Sequence, residues 1–106
     1  MSASFRRFEI LLPCTHNDGR QVPDEQIASV ILELEAQFGA VSSETQVVHG
    51  LWRYEGQLYR DQLIRVVVDA PDNSESMTFM TDFKAVLMER FEQLDIWMTT
   101  FLVDVL

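Results

Sequence analysis

The chain has 106 residues, 47% of them apolar, with 17 acidic side chains against 8 basic ones and a formal net charge of −9. That length suits one domain with its own core, and that apolar share excludes a disordered chain. The acidic balance argues against nucleic-acid partners and against adhesion to anionic membranes, and fits either plain solubility or a positively charged partner.

The first strand is Phe5 to Leu12. Phe8, Ile10 and Leu12 alternate with Arg7, Glu9 and Leu11, the pattern of a half-buried strand, and Pro13 ends it. The first helix runs from Pro23 to Phe38, with Pro23 suited to a first turn and Asp24 and Glu25 facing the positive end of the dipole. Ile27, Ile31, Leu34 and Phe38 follow at helical spacing, and Gly39 is the expected stop.

A strand pair spans Thr45 to Asp69 around the Glu55-Gly56-Gln57 link, where the glycine suits the positive φ of a short hairpin loop. Ile64, Val66 and Val68 point one way, and Leu63, Arg65 and Val67 the other. Pro71 to Ser74 breaks the strand, and Asp72 with Glu75 three residues on has the form of a capping box. The second helix runs from about Ser74 to Leu94, with Met80, Phe83, Leu87, Phe91 and Leu94 on its buried stripe and Met77 at its start. The last strand is Ile96 to Val103.

Strand, helix, strand, strand, helix, strand is the order of a ferredoxin-like βαββαβ unit. The expected fold is a single α+β domain over residues 1–106, with a four-stranded antiparallel sheet and two helices on one face, because right-handed crossovers place both helices on the same side. No run of residues has the uninterrupted apolar length of a secretory signal or of a bilayer span. Cys14 is the one cysteine, so no internal disulfide forms, and a reducing, cytoplasmic setting is the expectation.

The open face of the sheet carries Arg7, Glu9, Leu11, Leu63, Arg65, Val67, Trp97, Thr99 and Phe101. A solvated face should be mostly polar, whereas this one mixes charges with large apolar groups. Leu11, Leu63, Val67, Trp97 and Phe101 are therefore the expected interface of a homodimer packed sheet on sheet. Two such sheets can also enclose a ligand cavity, as in dimeric α+β barrel enzymes.

Two histidines are the candidate bases. His16 lies in the long connection from Pro13 to Val22, where about two to six residues are usual. With Cys14 and Asp18 it offers metal-capable groups, but their spacing matches no closed ligand set, so neither a metal nor any other cofactor is expected. His49 lies on a strand and shares a face with Leu51 and Arg53, away from Trp52 and Tyr54. Gly50 in mid-strand marks a bulge or the close approach of other atoms. Trp52, Arg53 and Arg65 are the candidate ligand-binding residues, since guanidinium pairs bidentately with carboxylate. Cross-strand pairing of Arg53 or Arg60 with Glu55 or Asp61 is the structural alternative.

Asn17-Asp18-Gly19-Arg20 ahead of the first helix, Gly50-Leu51-Trp52 leading to Glu55-Gly56-Gln57, and Arg65-Val66-Val67-Val68 together resemble a family of small bacterial α+β proteins with no assigned activity. The resemblance implies the same fold and a bacterial source, and it carries no mechanism.

Two functional readings follow. The favoured one is a non-enzymatic dimeric binding or regulatory module, using its open sheet face toward a protein partner. The alternative is a small cofactor-independent enzyme, with His16 or His49 as general base and an arginine holding a small anionic ligand.

Overall fold

The computed structural model describes residues 4–44 and 46–106; Thr45, at which the expected strand pair begins, lies outside them. The elements are β1 (Phe5–Pro13), α1 (Asp24–Phe38), β2 (Ser42–Ser43), β3 (Val48–Tyr54), β4 (Gln57–Pro71), α2 (Ser74–Arg90) and β5 (Met98–Val103). All strand pairs are antiparallel. The sheet order is β2-β4-β1-β5, with β3 also on β4, so five strands stand where four were expected.

The fifth strand arises from the length of β4. Its inner half, Leu63 to Pro71, pairs with β1, and its outer half, Gln57 to Leu63, pairs with β3. The two-residue β2 pairs only with Val66 and Val67 further along the same edge. Beyond Leu63 the β3–β4 hairpin extends past the end of β1 as a two-stranded arm. Its turn is tight: Glu55 and Gly56 both have positive φ (50° and 79°), and Tyr54 pairs with Gln57. Two consecutive left-handed residues are what a two-residue hairpin of matching twist requires, and glycine takes the second without a Cβ penalty.

Alternation on β1 and β4 places Phe8, Ile10, Leu12, Val66, Val68 and Ala70 on one face, all buried. Val30 and Leu34 of α1 and Met80, Phe83 and Leu87 of α2 cover that face, with Phe91 and Ile96 completing the core. Phe38 and Phe79 join the helices edge to face, 5.3 Å between ring centroids. Burying this set supplies the main drive for folding.

Three local expectations need correction. The second helix ends at Arg90, not near Leu94: Glu92 takes a positive φ of 54°, Phe91 turns into the core, and Leu94 is exposed. Its cap is Asn73, whose Oδ1 accepts from the Ser76 N–H at 2.9 Å, while Asp72 instead pairs with Arg6. Met77 is exposed and lies off the buried stripe. Gly39 does stop α1 in the left-handed conformation (φ 85°), its N–H donating to the Glu35 carbonyl at 2.7 Å. Among the described residues, no helix is long and apolar enough to cross a membrane.

Candidate functional site

The open face is divided by charge. Arg7 and Asp69, directly paired across β1 and β4, form a bidentate ion pair with bonds of 2.8 and 3.0 Å. This bond holds the Asp69 carboxyl below its ordinary value and the Arg7 guanidinium above its own. Arg65 bridges Glu44 at 3.0 Å and Glu9 at 3.8 Å. The middle of the face is therefore ion-paired around Val67, which stands opposite Glu9 between Arg65 and Asp69. Phe101 lies on the outer strand β5 opposite Arg7, and Leu11, Leu63 and Trp97 gather at one end.

At that end lies a cleft of about 490 Å³, within the range of about 300–1,000 Å³ typical of small-molecule sites. Three segments wall it. Leu11 and Pro13 come from the end of β1; Gly50 to Arg53, Asp61 and Leu63 come from the hairpin; Gln93, Asp95, Ile96 and Trp97 come from the connection between α2 and β5. The β1–β5 ladder runs on by one bond, from the Leu11 N–H to the Trp97 carbonyl at 3.0 Å. That bond sets Trp97 beside Leu11 on the open face, where its side chain is 65% exposed.

Trp52 is built differently. Its indole stacks on Tyr59, its cross-strand partner, at 4.6 Å and 20°. Its N–H donates to Asp61 Oδ2 at 2.5 Å. Register explains the contact: Gly50, Trp52, Tyr59, Asp61 and Leu63 all project from the open face of the hairpin, and Asp61 is the diagonal neighbour of Trp52. Gly50 pairs directly with Asp61. A Cβ at Gly50 would come within 3.1 Å of Leu63 Cδ1, so the close approach expected there is real.

Two carboxylates line the cleft. Asp95 pairs with Lys84 at 3.1 Å and accepts from the Ile96 N–H at 2.9 Å. Asp61 has the indole N–H and, among the described residues, no cationic partner. Arg53 lies at the rim of the cleft, on the hairpin face it shares with Leu51 and His49; among the described residues neither it nor Arg60 makes an ion pair, so the anticipated cross-strand pairing with Glu55 or Asp61 does not form. Arg65 is held by Glu9 and Glu44 and does not line the cleft.

Neither histidine borders the cleft. His49 is exposed on the other face of the hairpin, opposite Gln62. His16 is tucked into the long connection, whose tip closes through the Gly19 N–H to His16 carbonyl bond at 2.9 Å. Its Nδ1 lies 3.2 Å from the Phe91 carbonyl and 3.4 Å from Glu92 Oε2. Burial pushes the Cys14 thiol up, with Asp24 adding to the shift, which is the opposite of an activated nucleophile. Among the described residues, no three His, Cys, Asp or Glu side chains gather as a metal site.

Trp52 and Arg53 stood out in the sequence as an aromatic and charged hairpin. Asp61 enters the sequence reading only as a pairing partner; Gln93 falls inside the helix expected to reach Leu94, and Asp95 falls in the one-residue gap before the expected last strand.

No protein-family model matches the chain, and no curated protein matches it in sequence. Among solved structures it is similar to a phage SAM lyase in complex with S-methyl-5'-thioadenosine, with a TM-score of 0.68 and 12% identity, covering 99% of this chain and 92% of that one. It is also similar to a phage SAM lyase in the apo state, with a TM-score of 0.59 and 14% identity, covering 98% and 90%. At these identities the likeness is one of fold.

Proposed function

We propose that the chain is a small enzyme that cleaves a carbon–sulfur bond of S-adenosylmethionine in the cleft between the hairpin and the 93–97 connection. The fold likeness to SAM lyase motivates the substrate class. The observation that carries it to this site is the grouping of two indoles, an arginine and a carboxylate without a cationic partner around one cleft of suitable size.

The ligand's parts match those groups. Adenine is flat and stacks on indole. A sulfonium is a cation, drawn by aromatic faces, by carboxylate and by a net charge of −9. The amino-acid carboxylate suits the Arg53 guanidinium, so the anionic ligand expected from the sequence becomes one end of a larger molecule.

The reaction balances without a second reactant. When the bond from sulfur to the γ-carbon of the amino-acid arm breaks, sulfur keeps the electron pair and leaves as neutral S-methyl-5'-thioadenosine. The substrate's own carboxylate captures the γ-carbon. Such an internal displacement needs orientation more than proton transfer, which accords with a cleft that no histidine borders. In the same terms we read β2 and β3 as one interrupted edge strand of a ferredoxin-like βαββαβ sheet.

Incubation with S-adenosylmethionine, followed by separation of the nucleosides, tests the reading. The expected result is accumulation of S-methyl-5'-thioadenosine, slowed by Trp52→Ala and by Arg53→Ala. Intact substrate after prolonged incubation with folded protein would overturn it.

A homodimer through the open face keeps one observation in its favour: Trp97 and Phe101 are 65% and 44% exposed. A second copy would bury that apolar rim. Solution mass by light scattering, repeated with Trp97→Glu, decides it: a dimer lost on substitution supports the interface, and a monomer at all concentrations removes it.

A further inference from the structure

We infer that Asp61 is the residue that makes the cleft selective for a ligand with a positive centre over its neutral counterpart. This rests on the S-adenosyl reading for the ligand class, but not on the lyase step.

The charges of this partly desolvated site single out Asp61. Of the two carboxylates lining the cleft, Asp95 is neutralised by Lys84 and by a backbone N–H. Asp61 is half-buried, spends Oδ2 on the Trp52 indole, and has no hydrogen bond to Oδ1 among the described residues. Arg53 borders the cleft without pairing to it. A carboxylate kept from full hydration and given only an indole N–H has attraction left over for a cation.

The residue directly opposite Asp61 is Gly50, so no side chain covers the carboxylate from across the hairpin. The space over Gly50 itself is taken by Leu63, whose Cδ1 would stand 3.1 Å from a Cβ there. The Trp52 ring, fixed by Tyr59 beneath it and by Asp61 at its edge, presents a π-surface beside the carboxylate. Carboxylate and indole face together form a seat for an onium group. Once the carbon–sulfur bond is broken the sulfur is neutral, and the same seat then favours product release.

The test uses two ligands that cannot undergo the cleavage. Sinefungin carries an ammonium-bearing carbon in place of the sulfonium, and S-adenosylhomocysteine carries a neutral thioether. Wild-type protein is expected to bind sinefungin about tenfold more tightly by titration calorimetry, which corresponds to one charge-assisted contact. In Asp61→Asn the amide oxygen still accepts from Trp52, so indole emission is unchanged while the preference disappears.

Equal binding of the two ligands by wild type, or a preference retained in Asp61→Asn, overturns the inference. The two proposals fail separately. Preference without release of S-methyl-5'-thioadenosine leaves the inference standing and removes the lyase. Release with the preference intact in Asp61→Asn does the reverse.

Discussion

His16 and Phe91 lie 75 positions apart, yet the imidazole Nδ1 of one is 3.2 Å from the carbonyl oxygen of the other. This contact ties the connection after β1 to the segment that follows α2. It also closes a chain end left open by the early stop of the helix, since backbone carbonyls after the last turn need partners. Gln93 donates to the same carbonyl at 3.2 Å and borders the cleft. His16 thus supports the cleft wall from behind.

Replacing His16 with alanine is therefore expected to lower stability by about 1 kcal/mol, the net contribution of one hydrogen bond, since Gln93 still donates to the Phe91 carbonyl. Urea unfolding measures this. His49→Ala, on the exposed face of the arm, should leave the midpoint unchanged.

The Arg7–Asp69 pair makes a prediction about acid. Asp69 has a folded-state pKa below its unfolded value, first because it accepts hydrogen bonds from Arg7. Its contribution is thus present above the unfolded value of about 4 and is lost as pH falls through the lower folded one. Both partners are about a third exposed, at 39% and 33%. Solvent screening then limits the effect to about 1 kcal/mol. Asp69→Asn should be less stable than wild type at pH 7 by that amount, and the gap should narrow as pH falls below the ordinary carboxylate value of about 4. A gap constant across that range would show that the pair contributes no charge-dependent stability.

Asn73 and Asp72 are adjacent candidates for capping α2, and they separate cleanly by substitution. Asn73→Ala removes the acceptor for the Ser76 N–H and should cost about 1 kcal/mol. Asp72→Ala removes only an exposed pair with Arg6 and should cost no more than a few tenths. Thermal unfolding of the two variants gives the comparison.

Much of the architecture could be read from side-chain period alone. Phe8, Ile10 and Leu12 against Arg7, Glu9 and Leu11 assigned the faces of β1 correctly, and the β4 partners followed. The two-residue β2 could not be read, because a strand that short has no period. The end of α2 could not be read either. Phe91 and Leu94 keep helical spacing, but Glu92 leaves the helix, so one is buried outside the helix and the other is solvated. Glycine, asparagine or proline would have announced such a stop; glutamate does not.

The site was legible only in part, for the same reason. Trp52 and Arg53 marked the hairpin by composition. The bond from Trp52 to Asp61 depends on a register set by the Glu55-Gly56 turn, and one residue more in that turn would move Asp61 away. The third wall, Gln93 to Trp97, becomes visible only once the chain is known to have left the helix.

The length of β4 has a mechanical consequence. From Leu63 inward it is clamped between β1 and the opposite edge, and from Gln57 to Leu63 it is held by β3 alone. The hairpin is a cantilever fixed at its root. One bank of the cleft rides on this beam, while the other is anchored to the body of the protein through Leu11 and Trp97. Bending the beam changes the gap between the banks without disturbing any fully buried side chain, so the width of the cleft is governed by the stiffness of two strands. Opening of this kind draws on the low-stability end of the fold, which lets a ligand enter and leave while the core stays closed.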